Sequence, residues 1–366
     1  MSKRTRIELR IESLETLALM SNLPGLPGLA TGATGLGNIS SLTATDAQAL
    51  QQDSSGGAVE VFISQIEVTY GRRANVKQFA AAVIADHTIT NYDLQNVASQ
   101  VGVTLPPGIA LPSDSQVATK VLAAVRSGNV DAAYLKAMTQ INAQDVANDT
   151  NLTQTTQNPA VSLYAQETGA YDQNHLNGAT TLNGRNKRAT YNPTIATTTI
   201  TGSTGQGTQG TVSASDTSAL QQDGSGGALE LFISQIEEQK GQRSAVTQYA
   251  QTVVADHQVT NYDLLATGVG TSVTIPPGIT SASDIADAKR VLAASRGNSL
   301  DSVYLQVMQS INSTDVANDQ QLVASTSNAR VKAYAQETLT FDQTHLTGAQ
   351  TLRANPRATT YTPTVG

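Results

Sequence analysis

The stretch ANVKQFAAAVIADHTITNYDLQNVASQV, residues 74–101, repeats apolar side chains at intervals that match the turns of an α-helix. Such spacing is typical of a long amphipathic helix, whose apolar face packs against the rest of the protein. The apolar face is formed by Val76, Phe79, Val83, Leu94 and Val101. His87 lies four residues after Val83 and seven before Leu94, so it continues the same face. The stretch therefore predicts a helix that carries an imidazole towards the core.

Helical spacing of the same kind extends on both sides of this stretch. It predicts long helices at 56–70, 74–101, 130–157 and 159–182, and a short helix at 113–126. The string Ser54-Ser55-Gly56-Gly57 predicts a break before the first long helix, after a short helical run from about residue 45. Short links join helices one to two and three to four, whereas 28 residues, 102–129, join the middle two. This connectivity is that of ferritin-like four-helix bundles.

The whole pattern occurs twice. Residues 50–180 and 220–350 align at a constant offset of 170, with 69 identities in 131 positions. The sequence therefore predicts an all-α protein of two tandem ferritin-like four-helix bundles, each with a short extra helix in its crossover, joined by a flexible linker. The predicted boundaries are 1–45 for an N-terminal targeting-like segment and tether, 46–183 for the first bundle, 184–215 for a Thr/Gly-rich linker, 216–353 for the second bundle and 354–366 for a tail.

The linker between the copies also predicts that each bundle folds on its own. Limited proteolysis should then cut first within 184–214 and release two helical fragments, because exposed segments rich in small and polar residues are the preferred sites of nicking. Protection of that segment, with cleavage inside the helices instead, would contradict independent folding.

Composition excludes several classes of protein. The 366 residues include no Cys and no Trp, so disulfide scaffolds, Cys-ligated metal sites and thiol nucleophiles are excluded. The formal net charge is −7 and no basic block is present, which argues against nucleic-acid binding. No apolar run is long enough for a membrane span, and no motif of a serine hydrolase or a phosphate-binding loop occurs, so no catalytic residue is predicted.

Acidic residues are retained between the copies far better than basic ones. All eleven Asp and Glu residues of positions 50–180 recur 170 positions later, whereas only Arg73 and Arg126 of the six basic residues do. Several acids suit helix caps, but others lie at matching depths on all four helices, close to the His residues. The candidate metal ligands are Glu60, His87, Asp145, Asp172 and His175 in the first copy, and Glu230, His257, Asp315, Asp342 and His345 in the second.

Two interpretations of this polar layer remain open. Carboxylates and imidazoles from different helices that meet at one depth are how metal sites are built in helical bundles, and Asp172-x-x-His175 resembles their acid-x-x-His element. The same groups can instead form a buried hydrogen-bonded network without a metal ion. The first interpretation makes a divalent or trivalent ion the cofactor.

Several strings resemble a known family. They include Ala85-Asp86-His87, Val103-Thr104-Leu105-Pro106 and Tyr164-Ala165-Gln166-Glu167-Thr168, with His175 following. Together with their counterparts in the second copy, they resemble the bacterial ferritin-like family named domain of unknown function 4142, over roughly 46–183 and 216–353. The resemblance implies a helical bundle. Proteins of this family are often exported, and their usual suspected activity is metal binding. Asn142 and Asn312 stand where the family usually has a His, which removes one ligand from each copy.

The N-terminal region bears on the location of the protein. Arg10 to Ser21, RIESLETLALMS, resembles a short motif of surface and secreted proteins of planctomycete-type bacteria, without its central Arg. We therefore expect an extracytoplasmic protein with a non-catalytic binding or surface-associated role and metal binding through the Asp/Glu/His layer. The alternative is a ferritin-type, metal-dependent redox protein.

Overall fold

The computed structural model describes residues 42–184 and 212–363 and forms ten α-helices there, with no strand among these residues. The first copy contains α1 (Ala44–Tyr70), α2 (Ala74–Val101), α3 (Pro112–Ser127), α4 (Val130–Thr155) and α5 (Pro159–Asn183). The second contains α6 (Ala214–Lys240), α7 (Ser244–Thr271), α8 (Ala282–Ala294), α9 (Leu300–Ser325) and α10 (Ala329–Ala354). The predicted all-α fold with two similar helical bundles is confirmed.

Some predictions fall outside the described residues. The N-terminal motif at Arg10 to Ser21, the tether up to residue 41 and the linker residues 185–211 lie there. None of the ten described helices is long and apolar enough to cross a membrane.

Each copy is built from two helical hairpins. In the first copy α1 pairs with α2 and α4 with α5, and the hairpins meet where α1 packs on α4 and α2 on α5. The short helix α3 lies in the crossover and packs against α1 and α4. The second copy repeats these contacts with α6 to α10. This arrangement brings α1, α2, α4 and α5 around a common interior, which is where the predicted polar layer lies.

The helix ends follow from local sequence. Thr43 and Asp46 form a capping box at the start of α1, because each side chain accepts a hydrogen bond from the other's backbone N–H. Asn158 accepts from two backbone N–H groups at the start of α5, where Pro159 occupies the first turn. Gly102 ends α2 in the left-handed region, at φ 73°. These caps set the register of each hairpin.

The break predicted at Ser54-Ser55-Gly56-Gly57 was wrong, because α1 runs without interruption from Ala44 to Tyr70. Packing explains why glycine is present in the middle of a helix. A Cβ atom added to Gly57 would lie 2.4 Å from the side-chain oxygen of Asn91, so the missing side chain allows α2 to approach closely. The tertiary contacts thus outweigh the low helix propensity of the two glycines.

The two copies also pack against one another. Phe62 and Phe232 meet with ring centroids 5.6 Å apart, and Tyr92 stacks on Tyr262 at 5.2 Å. Each pair joins equivalent positions, because 232 − 62 and 262 − 92 both equal the repeat offset of 170. The contact is therefore a local two-fold interface, of the isologous kind found in symmetric dimers. Independent folding of each copy stays a prediction, although one apolar cluster spans both copies.

Candidate metal centre

A cluster of imidazoles and carboxylates occupies the interior of the first copy. Glu60 from α1, His87 from α2, and Asp172 and His175 from α5 are all buried. Each offers one ligand atom, and these atoms lie within 4.8 Å of one another. The Oε2 atom of Glu60 is 2.6 Å from His87 Nε2 and 3.8 Å from His175 Nδ1. Three helices thus bring four of the five predicted residues of this copy to one point.

His175 is held in a defined orientation by a residue outside the predicted set. Its Nε2 atom lies 2.9 Å from Asp86 Oδ2, so Nε2–H donates to that carboxylate. The other nitrogen, Nδ1, has no hydrogen-bond partner in the part of the chain that the structure describes, although the side chain is fully buried. With the proton on Nε2, Nδ1 presents a lone pair towards Glu60. A carboxylate behind a His is the usual support of a metal-ligating imidazole.

The charges of this cluster favour an ion pair between Glu60 and His87. Burial alone would raise the pKa of Glu60, but the facing imidazoles of His87 and His175 outweigh burial and lower it. Burial opposes the charged form of His87, yet the hydrogen-bonded Glu60 carboxylate produces a net rise in the pKa of His87. A hydrogen-bonded pair of this kind is what the network interpretation requires in the absence of a metal ion.

Asp145 lies beside this cluster and not within it. Its side chain lines a small cavity of about 20 Å³ together with Asp53, Asp149 and Asp172. Burial, followed by the negative charge of Glu60, raises the pKa values of Asp145 and Asp172 well above the ordinary Asp value. Burial likewise raises the pKa of Asp149 to about 7. These buried carboxyls therefore repel one another when ionised, and a bound cation would relieve that repulsion.

The second copy repeats the cluster with small differences. Glu230, His257 and His345 gather within 4.8 Å, and Asp256 holds His345 Nε2 at 2.9 Å. The Nδ1 atom of His345 is buried without a hydrogen-bond partner among the described residues, and the Nε2 atom of His257 lies 3.3 Å from Glu230 Oε2. The carboxylates of Asp315 and Asp342 lie outside this three-residue group. The two imidazoles thus face the same carboxylate oxygen, at 3.3 Å from His257 and 3.9 Å from His345.

Two asparagines at equivalent positions of the copies, Asn142 and Asn312, are fully buried. The side-chain NH₂ of Asn142 donates to the carbonyl of Met138 at 2.9 Å, and its oxygen has no partner. Asn312 donates to Met308 and also to Glu230 Oε2, at 3.0 Å each. In the second copy the amide therefore supports the cluster by a hydrogen bond to Glu230, whereas Asn142 bonds to the backbone of its own helix.

Sequence reasoning missed the roles of Asp86 and Asp256, and of the cavity-lining Asp53 and Asp149. A signal for all four existed, because they belong to the eleven acidic positions retained between the copies. Asp86 also precedes His87 directly, so it points to a different side of α2 and contacts the His of another helix.

Comparison with protein families agrees with the repeated fold. The model of the family described as domain of unknown function (DUF4142) matches the chain over residues 32–182 and again over 201–352. No curated protein and no solved structure matches the chain. The two matches cover well over half of the sequence, and each contains one helical bundle with its cluster. The chain therefore belongs to the family of domain of unknown function DUF4142, as two tandem copies.

Proposed function

We propose that this protein binds one divalent first-row transition-metal ion in each of its two bundles. The observation that carries the proposal is the orientation of His175 and His345. Each is fully buried and is fixed through Nε2 by an aspartate, and its Nδ1 has no hydrogen-bond partner among the described residues but lies 3.8 or 3.9 Å from a glutamate oxygen. A buried nitrogen without a partner is costly unless something else occupies its lone pair. A metal ion is the simplest occupant.

The donor set suits such an ion. In the first copy it comprises the imidazoles of His87 and His175 and the carboxylates of Glu60 and Asp172. Mixed imidazole and carboxylate sets are typical of zinc, manganese and iron(II), whereas calcium and magnesium prefer oxygen alone. Metal binding would replace the Glu60–His87 hydrogen bond with bonds to the ion. The residues therefore fit a metal ion, and they also explain how the site is stabilised without one.

Metal content tests the proposal directly. Protein treated with chelator and then dialysed against Zn²⁺, Mn²⁺ or Fe²⁺ should retain two ions per chain, measured by inductively coupled plasma mass spectrometry. The variant His175→Ala, His345→Ala should retain none, whereas Glu337→Gln, at an exposed position, should retain two. Parent protein that retains no ion from any of these solutions would contradict the proposal.

Asp86 and Asp256 provide a second prediction. Asp86→Asn with Asp256→Asn should weaken metal binding about 10- to 100-fold, because the amide no longer fixes the tautomer of the metal-facing His. All residues proposed to bind the ion directly remain in this variant. A loss of metal affinity would therefore come only from the lost orientation of the His imidazole. Asp93→Asn with Asp263→Asn is the matched control, seven residues further along the same helices. Equal affinity of the two variants in calorimetric titration would show that Asp86 does not orient a ligand.

We also propose an extracytoplasmic location. Support comes from the motif-like string at Arg10 to Ser21 and from the Thr-rich segments near both copies, together with the lack of Cys. Fractionation of the native cells tests this, and full-length protein found only in the cytoplasm would contradict it.

A further inference from the structure

A cavity lies between the two copies, next to the two metal clusters, and shares His87 and His257 with them. Its volume is about 180 Å³, and its walls come mainly from α1 and α2 of the first copy and from α6 and α7 of the second. The phenyl rings of Phe62 and Phe232 and the phenol rings of Tyr92 and Tyr262 contribute to the walls. The cavity therefore forms only where both copies are present.

The local two-fold symmetry extends to the cavity lining. Most of its residues occur as pairs 170 positions apart, including Ala58 and Ala228, Asn91 and Asn261, and Gln65 and Gln235. Backbone and side-chain hydrogen bonds close one edge, where Gly108 N–H donates to the Gln258 side-chain oxygen at 3.1 Å. The cavity is thus a feature built by both copies.

The chemistry of the lining limits what can bind. Among the described residues no Asp, Glu, Lys or Arg contributes to the walls, and the two imidazoles that do, His87 and His257, already face Glu60 and Glu230. A charged molecule would therefore lose its hydration without gaining a free partner of opposite charge. The walls are mostly aliphatic and aromatic, and the amides of Asn91 and Asn261 supply hydrogen-bond donors and acceptors. For scale, an apolar cavity of about 150 Å³ engineered into another protein stays dry and binds benzene.

We propose that this cavity binds one small, neutral, aromatic molecule that carries a hydrogen-bonding group. The aromatic walls favour offset or edge contacts with a ring, and the amides favour a hydroxyl or carbonyl group at its edge. His87 and His257 also line the cavity, so the molecule would lie between the two metal clusters. Binding does not require a metal ion, because the lining is complete without one.

The probe for this proposal is 2-naphthol, which is neutral at pH 7 and fluoresces outside the range of tyrosine. The absence of Trp from the chain keeps the signal clear. Titration of chelator-treated full-length protein should saturate at one probe per chain, since the two copies share a single cavity. The anion 2-naphthalenesulfonate should bind at least tenfold more weakly. Binding of both probes with equal affinity would overturn the assignment of a neutral ligand.

A cavity-filling variant tests the location. Ala58→Leu with Ala228→Leu places larger side chains in the walls and should weaken 2-naphthol binding at least tenfold. Ala132→Leu with Ser302→Leu, at exposed positions on α4 and α9, is the matched control and should bind as the parent does. Both variants should keep two metal ions per chain and the parent's circular dichroism. If the double variant does not fold, the single variant Ala228→Leu replaces it.

Two results would overturn the proposal. One is parent protein that shows no saturable binding. The other is a folded cavity-filling variant that binds the probe as tightly as the control. A protein that binds no metal ion should still bind 2-naphthol. Failure of this proposal can therefore be distinguished from failure of the metal proposal.

Discussion

Adding Zn²⁺, Mn²⁺ or Fe²⁺ to chelator-treated protein is expected to raise its melting temperature by roughly 5–10 °C. A ligand that binds only the folded state stabilises it by about 2.7 kcal/mol per site when its free concentration is 100 times the dissociation constant. For a bundle of this size, each kcal/mol corresponds to roughly 2–4 °C. The stabilisation should occur in both copies, since both contain an inward-facing His with an unpaired Nδ1. Thermal melts followed by circular dichroism measure it.

The variant His87→Ala, His257→Ala should lose this shift while also melting at a lower temperature than the parent. Its loss of stability without metal is expected, because Glu60 and Glu230 then keep buried charges without their imidazole partners. Ser64→Ala with Ser234→Ala is the matched control. These serines pair with buried tyrosines one turn from the glutamates, so their removal should lower stability and preserve the metal-dependent shift.

The network interpretation predicts a different pattern for the same proteins. It expects destabilisation by the His substitutions and no change in the parent's melting temperature on adding any of the three ions. That outcome would leave Glu60 and His87 as a structural ion pair, with Asp86 and His175 as a second pair beside it. The comparison therefore separates a metal site from a hydrogen-bonded core.

The fold was predictable because its signals are local. Apolar spacing marks every long helix, and caps such as Asn158 before Pro159 mark where helices begin. The depth of the polar groups also follows from counting residues from each turn, which places Glu60, His87 and His175 at one level. The interrupted first helix was mispredicted, because the reason for Gly57 is the approach of Asn91 from another helix.

The finer details of the site depend on rotation of each helix about its axis. A difference of one residue changes the direction of a side chain by about 100°, so sequence spacing cannot decide that Asp86 contacts His175 while His87 contacts Glu60. The interface between the copies escaped prediction for a related reason. Phe62 has the spacing of a residue in its own bundle's core, and nothing local distinguishes that role from contact with Phe232.

A buried carboxyl at the first hairpin turn should make the stability of the folded protein depend strongly on alkaline pH. Glu67 is fully buried at the end of α1, and neither of its oxygens accepts a hydrogen bond from a described N–H or O–H group. Asp131 of α4 faces it and accepts from the backbone N–H groups of Arg72 and Arg73. Burial, followed by the charge and hydrogen bonding of Asp131, raises the pKa of Glu67 to about 9, despite the opposing charges of Lys77 and Arg73.

The direction of the pH dependence follows from that pKa. The folded state holds the Glu67 proton up to about pH 9, whereas an ordinary Glu loses it near pH 4.5. The resulting stabilisation is complete below about pH 4.5 and is lost as the pH rises towards 9. Glu237 repeats the arrangement beside Asp301, with burial as the main cause and a pKa of about 9. The free energy of unfolding should therefore fall between pH 6 and pH 9 in both copies.

Glu67→Gln with Glu237→Gln should remove this dependence, because glutamine keeps the shape of the neutral carboxyl and cannot ionise. We expect the variant to melt at least about 3 °C above the parent at pH 9, and the gap to narrow as the pH falls towards 6. Melts of parent, variant and the exposed control Glu337→Gln at three pH values measure the effect. Parallel pH profiles for parent and variant would show that Glu67 and Glu237 are already ionised in the folded protein. The charge would then have to be balanced by Arg73 and Lys77 in the first copy and by Arg243 in the second.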